Sequence, residues 1–468
     1  MSRTVVIGGG ITGLAAANRL IELGQTNVTL LEATGRLGGT IETEHRDGFL
    51  LERGPDSFIS EKPEALALAK RLGLESRLVQ TNEQHRRSFI VRNGRLRAVP
   101  EGFQLLAPSR IWPFITSDIF SVAGKMRMAA DLVLPRRSTN GMKDETLASF
   151  VRRRLGREAL ERMAQPMVGG IYTADPETLS LRATLPRFLD MERDHRSLIL
   201  AMLRQGRAQK TGTSGARYSL FLSFDRGMQV LVDALANVKA DIRLNTRAVQ
   251  LQPDGPSWTI ATNTGEQIKA DAVCLALPAF VAATLVDDID ASLATKLSQI
   301  KYASTATINF GYKRSAIAHS LEGFGFVVPL IEKRSLIACT FSSVKFDGRA
   351  PEGHVLLRAF AGGALQPEIF ALDESEMAAR VEAELRELLG IKEKPLFTEV
   401  AKWERSMPQY EIGHLDRVAE IENDLSHFPG LTLAGNSYRG AGIPDCIRSG
   451  ESAAESIITY LRPLPTPR

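Results

Sequence analysis

The chain has 468 residues, 44% of them hydrophobic and 24% charged, with a mean hydropathy of −0.09. At roughly 150 residues per folding unit this is a globular protein of about three units, neither disordered nor a disulfide-stapled module. The net charge of +4 is too small to imply nucleic acid. It is uneven, however: residues 101–220 hold 19 basic and 12 acidic side chains, so the middle of the chain carries +7 and the remainder −3. Cys274, Cys339 and Cys446 are far apart and form no CxxC spacing, so reduced thiols in a cytoplasm are expected.

The first element is the most informative. Thr4-Val5-Val6-Ile7 is a β-branched run that reads as a buried strand, and it starts too early to leave room for a charged leader and an apolar signal core. It passes into Gly8, Gly9, Gly10, Ile11, Thr12 and Gly13, then into Leu14-Ala15-Ala16-Ala17, which favours helix. Gly8, Gly10 and Gly13 fit G-x-G-x-x-G: a tight turn, a close approach of pyrophosphate to backbone, and a close packing of helix on strand. The helix start offers unpaired N–H groups and about half a positive charge to the phosphates. Val28–Leu31 reads as a second parallel strand and ends at Glu32, 19 residues past Gly13, where an acid meets ribose hydroxyls. A dinucleotide with a free 2′-hydroxyl, FAD or NAD, is implied.

Next, Arg36-Leu37-Gly38-Gly39-Thr40 places a cation and a glycine pair where they can neutralise the pyrophosphate and pass close to it. Leu51 to Phe58 contains the turn Gly54, Pro55, Asp56 and Ser57, able to bring backbone amides to a flavin ring. Lys62-Pro63 precedes a helical run from Glu64 to Leu72. From Phe103 to Leu134 large apolar residues cluster beside Lys125 and Arg127, consistent with core helices, a large ligand tunnel or an interfacial surface. From Asp144 to Met163, Leu147, Phe150, Val151, Leu155 and Leu160 share one helical face, with Arg152, Arg153 and Arg154 expected in solvent. The run Ala272–Val286, 15 residues broken by Pro278, is too short to span a bilayer. Leu431 to Asn436 is a strand that leads through Gly440-Ala441-Gly442 into a helix reaching about Leu461, with Pro444 suited to its first turn. Pro463 to Arg468 reads as a frayed tail.

Together these segments resemble the two-glycine flavoprotein family that includes amine oxidases and protoporphyrinogen oxidases, and within it the soluble Gram-positive protoporphyrinogen/coproporphyrinogen III oxidases. The narrower resemblance rests on Gly54-Pro55-Asp56-Ser57-Phe58, Gly170-Ile171-Tyr172 with Leu179-Ser180-Leu181, and Gly442-Ile443-Pro444-Asp445-Cys446-Ile447. Amine oxidases differ, since this chain lacks their SGGC flavin-attachment segment. The resemblance implies non-covalent FAD contacted by the glycine loop, Glu32, Ala33, Arg36, Gly39, Thr40, the Gly54–Ser57 turn, Val249 at the adenine, Trp403, Gly435, Ile443, Pro444 and Asp445. It implies substrate contacts at Lys62, aligned with a propionate-binding position, and at Ile171.

The fold implied is α/β plus α+β. A discontinuous Rossmann-like FAD domain (1–75, 226–290, 428–468) joins a mixed-sheet substrate domain (76–100, 291–427) and a mostly helical insertion (101–225). The activity implied is oxidation of coproporphyrinogen III, and also protoporphyrinogen IX, to the porphyrin in haem biosynthesis, with oxygen as acceptor. The product would pass to a haem-pathway chelatase, and membrane contact would be peripheral at most. No histidine pair has metal-ligand spacing and no nucleophile elbow is present. No catalytic acid or base is assigned, because the cofactor carries the redox chemistry. An amine oxidase, a carotenoid desaturase or a non-catalytic flavin-binding protein remain the alternatives.

Overall fold

In the computed structural model, residues 2–137, 144–208 and 221–462 are described; the expected tail from Pro463 to Arg468 lies outside them. Five parallel strands form the sheet beneath the glycine loop, in the order Asp241–Arg243, Val28–Leu31, Thr4–Ile7, Ala272–Leu275 and Leu431–Leu433. The sheet thus gathers segments more than 400 residues apart. Both of its faces are buried, which is why its strands are continuous apolar runs rather than alternating ones. Val6 faces a core with Leu14, Leu231 and Ile447, while Val5 and Ile7 face another with Val273, Trp258 and Ile260.

On the first face lie the helix Ile11–Glu22 and the C-terminal helix Ile443–Leu461. They cross so closely at Gly450 that a Cβ there would run into the Thr12 carbonyl. The second face is covered by the antiparallel strands Ala248–Asp254, Ser257–Thr262 and Gln267–Ala270 and by the helix Ala279–Val286.

A seven-stranded sheet stands beside this unit, in the order Phe397–Pro408, Tyr302–Lys313, His354–Gly362, Leu336–Phe341, Gly325–Val327, Phe89–Arg92 and Arg95–Ala98. Its pairings are antiparallel except that of Gly325–Val327 with Phe89–Arg92. The helix Glu374–Leu389, capped by Asp373 and closed by Gly390 at φ +62°, packs Met377, Val381 and Leu385 against Phe310, Tyr312 and Leu357.

Between Phe103 and Ala208 the described chain is mostly short helices around Phe103, Phe114, Phe120, Phe150 and Phe188. The apolar face expected from Asp144 to Met163 is buried, but in two pieces. The helix Leu147–Arg154 stops at Gly156, φ +96°, and the chain restarts at Arg157. The expectation that Arg152, Arg153 and Arg154 face solvent is corrected. Arg154 is 0% exposed, donating from Nε to Asp131 at 2.7 Å and from its terminal nitrogens to the carbonyls of Asp131, Pro135 and Arg196. Arg153 bridges Glu145 and Glu192, and only Arg152, paired with Glu177, lies at the surface. In the expected apolar stretch, Phe103, Phe114 and Phe120 are core, whereas Trp112 is 74% and Met126 71% exposed. Among the described residues no helix is long and apolar enough to cross a membrane.

Candidate functional site

The glycine loop contains glycines of two kinds. Gly8 has φ +112°, and a Cβ on Gly8 or Gly13 would collide with backbone, that of Gly13 with the Gly8 carbonyl. The crossing of strand and helix therefore requires both, whatever binds there. Gly10 is different. As N-cap of Ile11–Glu22 it has φ −72°, which any residue adopts, and a Cβ on it would meet only the Gly39 Cα, at 4.0 Å. No side chain caps this helix, so its first-turn N–H groups face the same open space. A cradle between Gly10 and Gly39 that a single side chain would fill, lined by uncapped N–H groups, is what a pyrophosphate needs.

Glu32, half-buried at the strand end, accepts from the Gly9 N–H at 2.7 Å and from the N–H and hydroxyl of Thr34 at 2.8 and 2.7 Å. A carboxylate has about four lone-pair sites, so acceptor capacity remains for a ribose hydroxyl. Gly38, φ +104°, donates to the Gly9 carbonyl at 2.8 Å and ties the glycine pair to the first loop. Arg36 fastens that second loop by donating to the carbonyls of Leu37 at 3.1 Å, Ile41 at 3.0 Å and Gly39, and it pairs with Glu42 at 3.4 Å. Ala33, Gly39 and Thr40 are exposed beside it. Val249, 53% exposed, is the extra residue of a β-bulge between Ala248 and Gln250, so the ladder skips its backbone groups, leaving them available to a ligand.

The turn Gly54–Ser57 is held from one side. Gly54 passes so close to Thr40 that a Cβ would enter the Thr40 carbonyl. Trp403 donates its indole N–H to the Arg53 carbonyl at 2.8 Å, and Thr307 donates to the same oxygen. Asp56 accepts from Lys345 at 2.9 and 3.1 Å and from the Ser57 hydroxyl at 2.7 Å. Burial alone would raise its carboxyl, but the Lys345 and Arg358 cations and the hydrogen bonds from Lys345 and Ser57 hold it well below the usual range. Burial pushes the neighbouring Glu52 up to about 7, although it accepts from the Met228 N–H and the Thr43 hydroxyl, each at 2.8 Å.

At the far end Gly435, φ +137°, donates to the Ser449 hydroxyl at 2.9 Å. Ile443, Pro444 and Asp445 form the first turn of Ile443–Leu461. Asp445 accepts from Arg448 at 2.6 Å and from Lys62 at 2.5 Å. The structure thus joins Lys62, expected at the substrate, to Asp445, expected at the cofactor. Ile171, 40% exposed, stands on the separate helix Gln165–Tyr172. That helix meets the Trp403 segment through Gln409, whose amide donates to the Tyr172 carbonyl at 3.5 Å.

Thr307, Asn309, Lys345 and Arg358 lie outside the motifs and had not been expected at the site, whereas Tyr410 ends the Trp403 segment that resembles the family's tryptophan segment near the flavin. Tyr410, buried and stacked on His414 at 4.3 Å, accepts from the Gly440 N–H at 2.9 Å and donates to the Asn436 carbonyl, holding the loop before the last helix. The only signals for Arg358 and Asn309 were polar residues set inside apolar strands.

Comparison with known proteins agrees with this geometry. The chain is 36% identical to a coproporphyrinogen III oxidase of Bacillus subtilis (strain 168) over 98% of both chains. It is 32% identical to one of Staphylococcus aureus over 98% of this chain and 100% of the other. A solved structure from Exiguobacterium sp. 255-15, described as a candidate protoporphyrinogen oxidase, superposes with a TM-score of 0.87 at 32% identity over 97% and 98% of the two chains. The family model for flavin-containing amine oxidoreductases matches residues 11–458. A glycine cradle beneath an uncapped helix, a ribose-directed carboxylate and a match along nearly the whole chain place this protein in the flavin-containing amine oxidoreductase family, as an FAD-dependent oxidoreductase.

Proposed function

We propose that the protein oxidises a porphyrinogen to the porphyrin, taking coproporphyrinogen III as its main substrate and protoporphyrinogen IX as a second, with oxygen as acceptor. The observation that carries this reading is the likeness to coproporphyrinogen III oxidases along 98% of the chain. The Gly54–Ser57 turn and the Lys62–Asp445 pair lie within that likeness. When bound, FAD supplies the two-electron acceptor for hydrogen removed from the ring bridges. The chain's own groups bind and orient. The start of Ile11–Glu22 and the Gly10–Gly39 cradle hold the pyrophosphate. Glu32 holds the ribose, and the Val249 bulge receives the adenine. Gly54, Asp56 and Ser57 turn their N–H groups to the flavin ring. Lys62, 46% exposed and N-cap of the helix Pro63–Arg71, presents a cation to a substrate carboxylate. The product passes to a chelatase of the haem pathway, and membrane contact is peripheral at most: the exposed Trp112 and Met126 could touch a surface, and no described helix is long and apolar enough to cross.

An anaerobic titration tests the reading: coproporphyrinogen III should bleach the flavin of the yellow holoprotein, while amines and carotenes leave it oxidised. Bleaching by an amine and not by either porphyrinogen would make the protein an amine oxidase. Bleaching by no donor would leave a flavin-binding protein without turnover.

A further inference from the structure

Of the carbonyls of residues 52–56, four accept hydrogen bonds from side chains. Asn309 donates to the Glu52 carbonyl at 3.2 Å, Trp403 and Thr307 to that of Arg53, Arg358 to that of Gly54, and Ser223 to that of Asp56 at 2.7 Å. The opposite edge is bare. Among the described residues the N–H groups of Gly54, Asp56 and Ser57 have no acceptor, and Pro55 has no N–H to offer. In a trans peptide the N–H points opposite the preceding carbonyl, so the Gly54 N–H faces away from the seven-stranded sheet whose side chains hold the Arg53 carbonyl, and the Ser57 N–H faces away from Ser223.

One side chain grips the turn at two points. Arg358, 4% exposed in the strand His354–Gly362, donates to the Gly54 carbonyl with one terminal nitrogen and stands 3.6 Å from an Asp56 oxygen with the other. A planar fork can serve both, and an ammonium cannot.

The surroundings argue against a merely structural ion pair. Lys345 already gives Asp56 two hydrogen bonds, so Arg358 is not needed to neutralise it. Lys345, Arg349 and Arg358 stand around the buried Asp56 and Glu52, and Arg349 also feels the exposed Asp225. The Arg358 Nε and the Oδ1 of Asn309, its partner across the strands, are both buried without a partner. Keeping a guanidinium here costs more than an apolar side chain of the same volume would.

We propose that Arg358 is a positioning residue for the flavin: through the Gly54 carbonyl and the Asp56 carboxylate it fixes the direction in which the N–H groups of Gly54, Asp56 and Ser57 face. This rests on the reading that the Gly54–Ser57 turn meets the flavin ring, and the test separates the two. Holoenzyme variants Arg358→Lys and Pro55→Ala are compared by FAD titration, the visible flavin spectrum, the flavin midpoint potential and thermal melting. Arg358→Lys should weaken FAD binding at least tenfold, blur the vibrational structure of the visible bands toward that of free FAD and shift the potential. Pro55→Ala, which loosens the same turn from within, should blur the spectrum too.

A lower melting temperature in Arg358→Lys, with FAD affinity within twofold and the spectrum unchanged while Pro55→Ala alters it, would refute the positioning role. An unchanged spectrum in both variants would refute the assignment of the turn to the flavin, and the proposal with it. Should Arg358→Lys not fold, Arg358→Gln keeps one donor for the Gly54 carbonyl and is judged by the same readouts.

Discussion

Replacing Gly10 by alanine separates what the fold requires from what the cofactor requires. The residue sits at φ −72° and its Cβ would reach no atom nearer than the Gly39 Cα at 4.0 Å. The only folding cost is therefore alanine as a poorer N-cap, under about 1 kcal/mol. Binding is another matter. A methyl group in the cradle pushes the pyrophosphate away from the helix start, and hydrogen bonds to a charged group are worth about 1.5–3 kcal/mol each. Losing two gives at least about 3 kcal/mol, more than a hundredfold in Kd. Gly13→Ala should do the reverse: its Cβ would enter the Gly8 carbonyl, forcing helix and strand apart at about 1–3 kcal/mol or more. The assay is denaturant unfolding of the flavin-stripped proteins, followed by titration with FAD. FAD affinity of Gly10→Ala within threefold of the parent, or an apoprotein as destabilised as Gly13→Ala, would show that the open space is not the pyrophosphate site.

Glu52 titrates near pH 7 in the folded protein against an ordinary value of 4.5. The folded state thus holds the proton more tightly, and stability falls as pH rises between those values by about 3 kcal/mol, at 1.36 kcal/mol per unit. Glu52→Gln removes this dependence, so its stability relative to the parent should rise by about that amount from pH 5 to pH 8; a constant difference in urea melts would mean that Glu52 ionises normally. Lys62→Ala should keep its FAD, since Arg448 still holds Asp445 at 2.6 Å, and lose about tenfold in kcat/KM, more for the tetracarboxylate than for protoporphyrinogen; a loss under threefold for both substrates returns Lys62 to a simple surface pair. Tyr410→Phe strands the Gly440 N–H and should lower stability by about 1–3 kcal/mol while weakening FAD retention, and a melting curve identical to the parent's would show that the loop before Ile443 does not depend on it.

The legible part of the site was the part built from neighbours in sequence. Gly8 and Gly13 had to be glycine because strand and helix cross there, and that crossing is local enough to leave a fixed spacing. Glu32 ends its strand and Pro444 enters its helix for equally local reasons. The donors behind the Gly54–Ser57 turn come from strands some 170 to 350 residues away. Strand alternation says that such side chains are buried and says nothing of what they meet. Even so, a lone arginine in Val355-Leu356-Leu357-Arg358-Ala359-Phe360 was a visible anomaly.

Arg154 shows that such anomalies can be read with local geometry alone. It lies four residues after Phe150 and three after Val151, on the buried stripe of its helix, whereas Arg152 and Arg153 are turned successively away. A run of three arginines read as one solvated patch ignores the 100° between successive residues, and the one on the apolar stripe must either break the helix or find acceptors. Arg154 found Asp131 and three carbonyls. Arg358 found a carbonyl and a carboxylate but kept one N–H unpaired. Both guanidiniums are buried, and they differ in what they grip: Arg154 ties helices of one unit together, whereas Arg358 reaches from its strand to the Gly54–Ser57 turn, the contact on which the proposed positioning role rests.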